Sequence, residues 1–278
     1  MKRLKRRMVE FLFVAGCGYA LLVVAVALCQ RRLIYFPTYL TPSLAEPAAR
    51  RHGFAPLRET SGEIIGWKLS PTNSASGTVL IFHGNAGCAL DREYLALPIH
   101  EALPLEVVIV EYPGYGAHAG SPDLAGILAT AESAFAQLPT NRPVVLVSES
   151  IGAGPAAHLA RKFPEQINGL VMFVPYDDFG RVAQSAMPFL PARWLLRDRF
   201  LPAEWLADFR GPVQFVLAGA DEVIPTKRGQ SLHDGYAGPK RLQIIPGARH
   251  NDVAVQSAEW WRGVFEFLKQ NHAAADAR

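Results

Sequence analysis

A serine at a strand-to-helix turn is the residue in this chain best suited to chemistry. Ser150 follows the apolar run Val144–Val147, within Ser148-Glu149-Ser150-Ile151-Gly152. Small residues two before and two after a serine at the end of a buried strand are the pattern of a nucleophile elbow. The helix-like segment Ala153–Phe163 follows, and its N-terminus would point toward the Ser150 hydroxyl. The pattern predicts that Ser150 is a nucleophile.

A nucleophilic serine requires a base within hydrogen-bond reach, and the base requires an orienting acid. In sheets of this type both partners lie later in the chain, the acid first and the histidine second, on loops after strands. Asp221 follows the apolar run Val213–Ala218, and His250 follows Leu242–Ile245. We therefore predict Asp221 as the acid and His250 as the base. The alternative acids, which follow an earlier strand, are Asp177 and Asp178.

The oxyanion formed in acyl transfer needs two preorganised hydrogen-bond donors. One predicted donor is the backbone N–H of Ile151, directly after the nucleophile. The other is the backbone N–H of Asn85 in the glycine-containing loop His83-Gly84-Asn85-Ala86-Gly87, with the N–H of Ala86 as an alternative. His83 itself is predicted to be structural, with its ring bonded to the loop backbone.

The elements that position these residues alternate between strand-like and helix-like segments. The strand-like runs are apolar throughout, which is typical of a parallel sheet buried on both faces by helices. A predicted antiparallel hairpin, Phe54–Leu69, precedes them. Residues 179–209 interrupt the alternation with aromatic residues and prolines, and form either a short helical lid or ordinary packing helices. The aromatic content of this segment also allows contact with the bilayer surface.

The N-terminal segment has the composition of a membrane anchor. Phe11–Cys29 contains nineteen residues without a charge, which nearly spans a bilayer core. Five basic residues precede it and two follow it, so the N-terminus is predicted to be cytoplasmic and the rest extracytoplasmic, that is, periplasmic. The predicted division is a basic tail at 1–8, an anchor at 9–29, an extended linker at 30–52 and one α/β domain at 53–278. A cleaved signal peptide, a lipoprotein signal and a buried soluble helix are weaker alternatives.

Charge and cysteine content exclude several functions. The formal charge is +3, but residues 1–29 hold five basic residues and one acidic residue, which leaves about −1 for the remainder. The basicity therefore belongs to membrane topology, and no nucleic-acid partner is predicted. Of three cysteines, only Cys88 lies in the domain, so neither a disulfide framework nor a metal site is predicted. Nucleotide-binding glycine motifs are absent, and no cofactor is predicted.

Several motifs in this order resemble one protein family. The chain is similar to the Bem46-like branch of the α/β-hydrolases from about Leu33 to its last helix. The motifs that carry the resemblance are Leu33-Ile34-Tyr35-Phe36-Pro37, His83-Gly84-Asn85-Ala86-Gly87, Glu111-Tyr112-Pro113-Gly114-Tyr115-Gly116, Ser148-Glu149-Ser150-Ile151-Gly152, Asp221-Glu222-Val223-Ile224-Pro225 and His250-Asn251-Asp252. The resemblance implies an α/β-hydrolase fold and a serine hydrolase with Ser150, Asp221 and His250 as its triad. Similar proteins are often membrane-anchored, and mammalian relatives include enzymes that remove palmitate from protein cysteines. Ser148 departs from the glycine that is usual in the family.

The function expected from these residues is hydrolysis of an ester or thioester through an acyl-enzyme, on a small or lipid-like acyl substrate. A peptidase or amidase would use the same three side chains. A membrane-tethered binding protein that keeps the fold but has lost turnover is the alternative from another class. A dehalogenase or epoxide hydrolase is disfavoured, because either would require a carboxylate nucleophile in place of Ser150.

Overall fold

The computed structural model describes residues 2–276, in which helices cover both faces of a central sheet. The strands are β1 Phe36–Pro37, β2 Ala55–Arg58, β3 Ile64–Leu69, β4 Thr78–Phe82, β5 Ala86–Gly87, β6 Glu106–Val110, β7 Val144–Glu149, β8 Ile167–Phe173, β9 Val213–Ala218 and β10 Lys240–Ile245. The helices are α1 Lys2–Ile34, α2 Pro42–Arg51, α3 Glu93–Ala102, α4 Leu124–Ala136, α5 Ala153–Lys162, α6 Phe179–Ala186, α7 Ala192–Leu195, α8 Pro202–Trp205, α9 Thr226–Gly235 and α10 Ala258–Asp276.

Eight of the described strands form one sheet in the order β10-β9-β8-β7-β4-β6-β3-β2. The pairs from β10 to β6 are parallel, whereas β3 pairs antiparallel with both β6 and β2. The predicted fold, a mostly parallel sheet with a hairpin at one end, is confirmed. Parallel strands end at the same edge, so the loops after β4, β7, β9 and β10 lie on one side of the molecule. We call this side the carboxyl edge.

Helices bury both faces of the sheet, which explains why its strands are apolar throughout. Every residue of β4, β7 and β9 is buried. On one face the core contains Phe135 of α4 and Leu159 of α5, and on the other it contains Ile99 of α3 and Trp261 of α10. The edge strand β10 keeps Lys240 exposed, and a charged edge discourages pairing with another chain.

The segment between α1 and the sheet differs from the prediction. An extended linker was expected at residues 30–52, but α1 continues to Ile34 and α2 occupies Pro42–Arg51. The expectation of an extended segment is therefore wrong for most of this stretch. Proline is favoured in the first turn of a helix, where its missing N–H is not needed, and Ala45 and Ala49 form a buried face one turn apart.

The insertion, defined here as residues 179–209, follows β8 and contains the short helices α6, α7 and α8. Phe200 and Trp205 are buried in the core, so part of the insertion is ordinary packing. Phe189 and Trp194 are instead exposed. The backbone carbonyls of Phe189 and Leu195 accept from Tyr19 and Gln30 of α1. Of the described helices, α1 alone is long and apolar enough to cross a membrane.

Candidate active site

Ser150 lies at the turn between β7 and α5, with its backbone in the left-handed region at a φ of 55°. A single turn of 3₁₀ helix, Ser150–Gly152, makes the transition. Gly152 is required here, because a Cβ atom at this position would collide with the carbonyl oxygen of Phe82 in the neighbouring strand. A positive φ in a non-glycine residue stores strain, which is typical of a functional site.

The structure brings Ser150, His250 and Asp221 into one hydrogen-bonded chain. His250 Nε2 lies 3.1 Å from Ser150 Oγ. On the other side of the ring, His250 Nδ1 lies 2.8 Å from Asp221 Oδ2 and 3.0 Å from Asp221 Oδ1. The side chains of His250 and Asp221 are buried. An Nδ1–H donated to the carboxylate leaves Nε2 free to accept the serine proton.

The two loops that carry Asp221 and His250 support each other. The N–H groups of Val223 and Ile224 donate to Asp221 Oδ1 at 2.9 and 2.7 Å, which orients the carboxylate. Glu222 Oε2 accepts from the backbone N–H of His250 at 3.3 Å. The side chain of Glu222 therefore contacts the backbone of the histidine loop and leaves the imidazole to Asp221.

The alternative acids, Asp177 and Asp178, bind other groups. Asp177 Oδ2 is 3.0 Å from Arg181 Nη1 and 3.3 Å from Arg228 Nη1. Asp178 caps the N-terminus of α6 by accepting from the N–H of Gly180 at 2.7 Å. Neither carboxylate is hydrogen-bonded to His250.

The loop after β4 passes directly beside the serine. A Cβ atom built on Gly84 would lie 3.8 Å from the Cβ atom of Ser150. Asn85 is held from two sides: its side-chain amide donates to the carbonyl of Ile34 at 2.9 Å, and its own carbonyl accepts from Tyr115 Oη at 2.7 Å. The N–H of Ile151 opens the turn after Ser150, where a helical segment leaves its first N–H groups without internal acceptors.

His83 lies in the interior, away from solvent. Its Nδ1 is 2.7 Å from the carbonyl oxygen of Gly84, and its ring packs against that of Tyr112, tilted by 31°, with centroids 4.0 Å apart. Burial, together with the positive charge of Arg92, lowers the pKa of His83 to about 3. The ring is therefore neutral near pH 7 and holds the shape of the loop.

Sequence reasoning missed a buried ion pair under the elbow. Glu149, the residue before Ser150, has Oε2 at 3.0 Å from Arg92 Nε and accepts from Tyr94 Oη at 2.7 Å. Arg92 Nη2 also donates to the carbonyl of Ala86 in the loop after β4, at 2.8 Å. The pair thus connects β7 to the loop beside Ser150. A carboxylate in an otherwise apolar strand was the available signal, because a buried charge requires a partner.

A second buried carboxylate, Glu111, lies behind the same loop. Its Oε1 accepts from the N–H of Ala89 at 2.9 Å, and its Oε2 accepts from Trp67 Nε1 at 3.2 Å. Burial raises the pKa of Glu111 to about 7. Glycine is required at 116, because a Cβ atom there would collide with this carboxylate.

Two further side chains near the site, Ser148 and Cys88, are buried. Ser148 is buried, and its hydroxyl has no hydrogen-bond partner among the described residues. Burial raises the pKa of the Cys88 thiol to about 12, so this cysteine stays protonated. Within residues 2–276 no cluster of His, Cys, Asp and Glu has an arrangement suited to a metal ion.

Comparison with known proteins relates the chain to proteins from bacteria and fungi. It is 33% identical to the uncharacterized protein Rv2307c of Mycobacterium tuberculosis, over 80% of this chain and 81% of that protein. It is 27% identical to the uncharacterized membrane protein YNL320W of Saccharomyces cerevisiae, over 83% and 86%. It is 26% identical to the protein bem46 of Schizosaccharomyces pombe, over 70% and 68%. No family model matches the chain.

Among solved structures, the esterase Pf2001 of Pyrococcus furiosus superposes with a TM-score of 0.63 at 16% identity, over 86% of this chain and 98% of the esterase. At that identity the likeness shows the fold alone, which is that of the α/β-hydrolases. Sequence similarity to bem46 and to Rv2307c extends over two thirds or more of each chain. The chain therefore belongs to the Bem46-like branch of the α/β-hydrolase superfamily.

Proposed function

We propose that this protein is a membrane-anchored serine hydrolase that cleaves an ester or thioester. The observation that carries the proposal is the continuous chain from Ser150 Oγ through the His250 ring to Asp221, with 3.1 and 2.8 Å between successive polar atoms. These are the side chains, order and spacing that activate a serine hydroxyl near neutral pH. The reaction class is acyl transfer to Ser150 and then to water.

In the proposed mechanism, Ser150 Oγ attacks the acyl carbon while His250 Nε2 takes the hydroxyl proton. The backbone N–H groups of Asn85 and Ile151 stabilise the negative oxygen of the tetrahedral intermediate. The bond to the alcohol or thiol then breaks, and His250 returns the proton to that leaving group. A water molecule, deprotonated by His250, attacks the acyl-enzyme in the same way and releases the carboxylic acid. Asp221 keeps the ring oriented throughout.

The second part of the proposal concerns α1, which we assign as an uncleaved single-pass anchor. The heavier basic flank lies at its N-terminus, so residues 1–8 lie in the cytoplasm and the domain at 53–278 lies outside it. Contacts between α1 and the insertion support retention of the helix, because a cleaved signal would leave them unmade. Resistance of the full chain to carbonate extraction, and digestion of the domain by protease added from the extracytoplasmic side, test this assignment.

A fluorophosphonate probe applied to the membrane fraction tests the nucleophile. Wild-type protein is expected to be labelled, and Ser150→Ala is expected to lose labelling completely. The matched control is Ser148→Ala, which removes the other serine of the same motif and should be labelled like the wild type. His250→Ala is expected to lose acylation as well, by roughly 10⁴-fold or more.

Labelling that persists in Ser150→Ala would remove this serine from the mechanism. A folded wild type that takes no label would favour a binding protein without turnover. Hydrolysis of p-nitrophenyl esters of increasing chain length then defines the acyl preference, and activity on the matched thioesters and anilides separates thioesterase from amidase.

A further inference from the structure

The tip of the insertion carries the most exposed large apolar side chains of the described chain. Phe189 is 88% exposed and Trp194 is 84% exposed. They lie in the segment Met187–Trp194, whose sequence is Met-Pro-Phe-Leu-Pro-Ala-Arg-Trp, and we call this segment the tip. Two aromatic rings held out by a short proline-containing segment are unfavourable in water and favourable in a lipid interface.

The tip lies alongside α1. Tyr19 Oη donates to the carbonyl of Phe189 at 3.0 Å. Gln30 donates from Nε2 to the carbonyl of Leu195 at 3.2 Å and accepts from the N–H of Arg197 at 2.7 Å. Tyr19 and Gln30 are eleven residues apart, which is about 16 Å along a helix. The tip therefore runs from the end of α1 back along the middle of its apolar stretch.

If α1 crosses a bilayer, the tip beside the middle of α1 lies at membrane depth. A non-helical backbone at membrane depth is tolerated only where its polar groups have partners within the protein. Pro188 and Pro191 have no N–H to satisfy. The carbonyl of Leu190 accepts from Gln184 Nε2 at 2.8 Å, and that of Phe189 accepts from Tyr19. In water such carbonyls would be satisfied by solvent, so side-chain partners for them fit an apolar environment.

Charged residues surround the base of the tip. Asp198 accepts from Arg31 Nε at 3.1 Å and from Tyr35 Oη at 3.1 Å, which fastens the insertion to the end of α1. Arg197 and Arg199, on either side of Asp198, are exposed. Arg193, the one charged residue of the tip, donates to Asp178 Oδ2 at 3.3 Å and is therefore paired within the protein. The arginines at the base of the tip match the position of anionic headgroups at a membrane surface.

We propose that the tip inserts into the outer half of the same bilayer that α1 spans, with Phe189 and Trp194 in lipid. This inference rests on the assignment of α1 as an anchor and deepens the proposed function. The carboxyl edge is then held against the membrane, because Asn85, beside Ser150, donates to the carbonyl of Ile34 at the end of α1. The substrate class that fits this placement is an acyl ester or thioester whose acyl chain resides in the membrane.

Depth-dependent quenching tests the insertion without reference to activity. The full chain, with the exposed Cys17 and Cys29 replaced by Ala, is reconstituted in vesicles of phosphatidylcholine and phosphatidylglycerol. An environment-sensitive fluorophore is attached at Phe189→Cys or, as the matched control, at Asn141→Cys. Asn141 is exposed on the loop before β7, at the opposite edge of the sheet. Brominated lipids are expected to quench the label at 189 at least threefold more than the label at 141, and aqueous iodide is expected to do the reverse.

Equal iodide quenching at both positions, with no quenching by brominated lipid at 189, would overturn the inserted tip even if Ser150 is labelled normally. If the serine takes no probe, the proposed function fails, while the quenching result still decides the position of the tip. The two proposals therefore fail separately.

A membrane-resident substrate predicts that loss of the two exposed rings slows hydrolysis only of an ester carried in vesicles. The double variant Phe189→Ser with Trp194→Ser is expected to lower turnover of a long-chain ester carried in vesicles about tenfold. Hydrolysis of soluble p-nitrophenyl acetate and probe labelling at Ser150 are expected to stay within twofold. Leu97→Ser, which changes a partly exposed leucine on α3, is the control and should leave both rates unchanged. Equal loss of both substrates, or no loss of the vesicle substrate, would overturn the membrane-resident substrate class.

Discussion

Asp221 and Asp198 are both buried carboxylates, and each binds a side chain that is distant in the sequence. Asp221 binds the imidazole of His250, whose other nitrogen contacts Ser150. Asp198 binds the guanidinium of Arg31 and the hydroxyl of Tyr35. An imidazole can gain and lose a proton near neutral pH, whereas a guanidinium keeps its charge. The first carboxylate is therefore suited to a reaction and the second only to holding two segments together.

Substitutions at the carboxyl edge and at the contact of the insertion with α1 should have different effects on rate and stability. Changes at the carboxyl edge should alter rate more than stability when they touch the imidazole. Changes between the insertion and α1 should alter stability and leave the rate on a soluble substrate almost unchanged.

The largest expected effect is that of Asp221→Asn. The amide can still accept from the N–H groups of Val223 and Ile224, so the loop keeps its shape. Its NH₂ group cannot accept the Nδ1–H of His250, and the ring takes the wrong tautomer. We expect kcat/KM on a soluble p-nitrophenyl ester to fall on the order of 10⁴-fold, with the melting temperature nearly unchanged. Glu222→Gln is the control, and a comparable loss there would contradict the assignment of Asp221.

Arg92→Met is expected to have the next largest effect. It leaves Glu149 buried with only Tyr94 as a partner and frees the carbonyl of Ala86. Breaking a buried ion pair costs about 3–5 kcal/mol in the free energy of unfolding. Chemical denaturation measures this loss. Adding Glu149→Leu should recover part of it, because the uncompensated charge is then gone. No recovery would mean that the cost lies in packing.

Asp198→Asn tests the other side of the comparison. It removes the charge that binds Arg31 and weakens the bond from Tyr35, so we expect a loss of about 1.5–3 kcal/mol. Hydrolysis of a soluble ester should stay within about twofold of the wild type. Glu204→Gln, in an exposed ion pair with Arg161, is the matched control and should change stability by less than about 1 kcal/mol. A large fall in the soluble rate for Asp198→Asn would show that the two regions are coupled.

Glu111 is a third buried carboxylate, and its titration should make the free energy of unfolding depend on pH. Its pKa is raised by burial from 4.5 to about 7. Between these values the folded protein keeps a proton that the unfolded chain has lost, so this group lowers the free energy of unfolding as the pH rises from 4.5 to 7. The effect is on the order of 3 kcal/mol and is complete above pH 7. Denaturation of the wild type and Glu111→Gln at several pH values measures it: the wild type should lose stability relative to the variant across this window. A constant difference would contradict the raised pKa.

The smallest expected effect is that of Ser148→Ala. The buried hydroxyl lacks a partner in the described structure, and its removal should stabilise the protein by about 1 kcal/mol. For a protein of this size that corresponds to roughly 2–4 °C in the melting temperature. Activity should be unchanged, since the elbow tolerates any small residue at this position. A fall in stability would indicate that the hydroxyl has a partner after all.

Much of the fold could be predicted from local patterns. The apolar runs that became β4, β7 and β9 were evident because a strand buried on both faces needs no polar residue. The linker prediction failed because it relied on Pro37, Pro42 and Pro47 as signs of an extended chain. Pro42 instead begins a helix. The ion pair between Arg92 and Glu149 was missed because its partners are 57 residues apart, and no local pattern relates them.

Sequence alone determined which residues could do chemistry, because a tight turn, a loop after a strand and a charge-free helix each leave a local signature. Ser150, Asp221 and His250 were predicted in this way as the reacting side chains, and the apolar segment of α1 and the unusual insertion were recognised in the same way. Tertiary structure alone decided that the tip of the insertion lies against Tyr19 and that Asn85 bonds to the end of α1. Those contacts depend on how helices and loops pack across long sequence separations, and packing geometry has no repeating pattern along the chain.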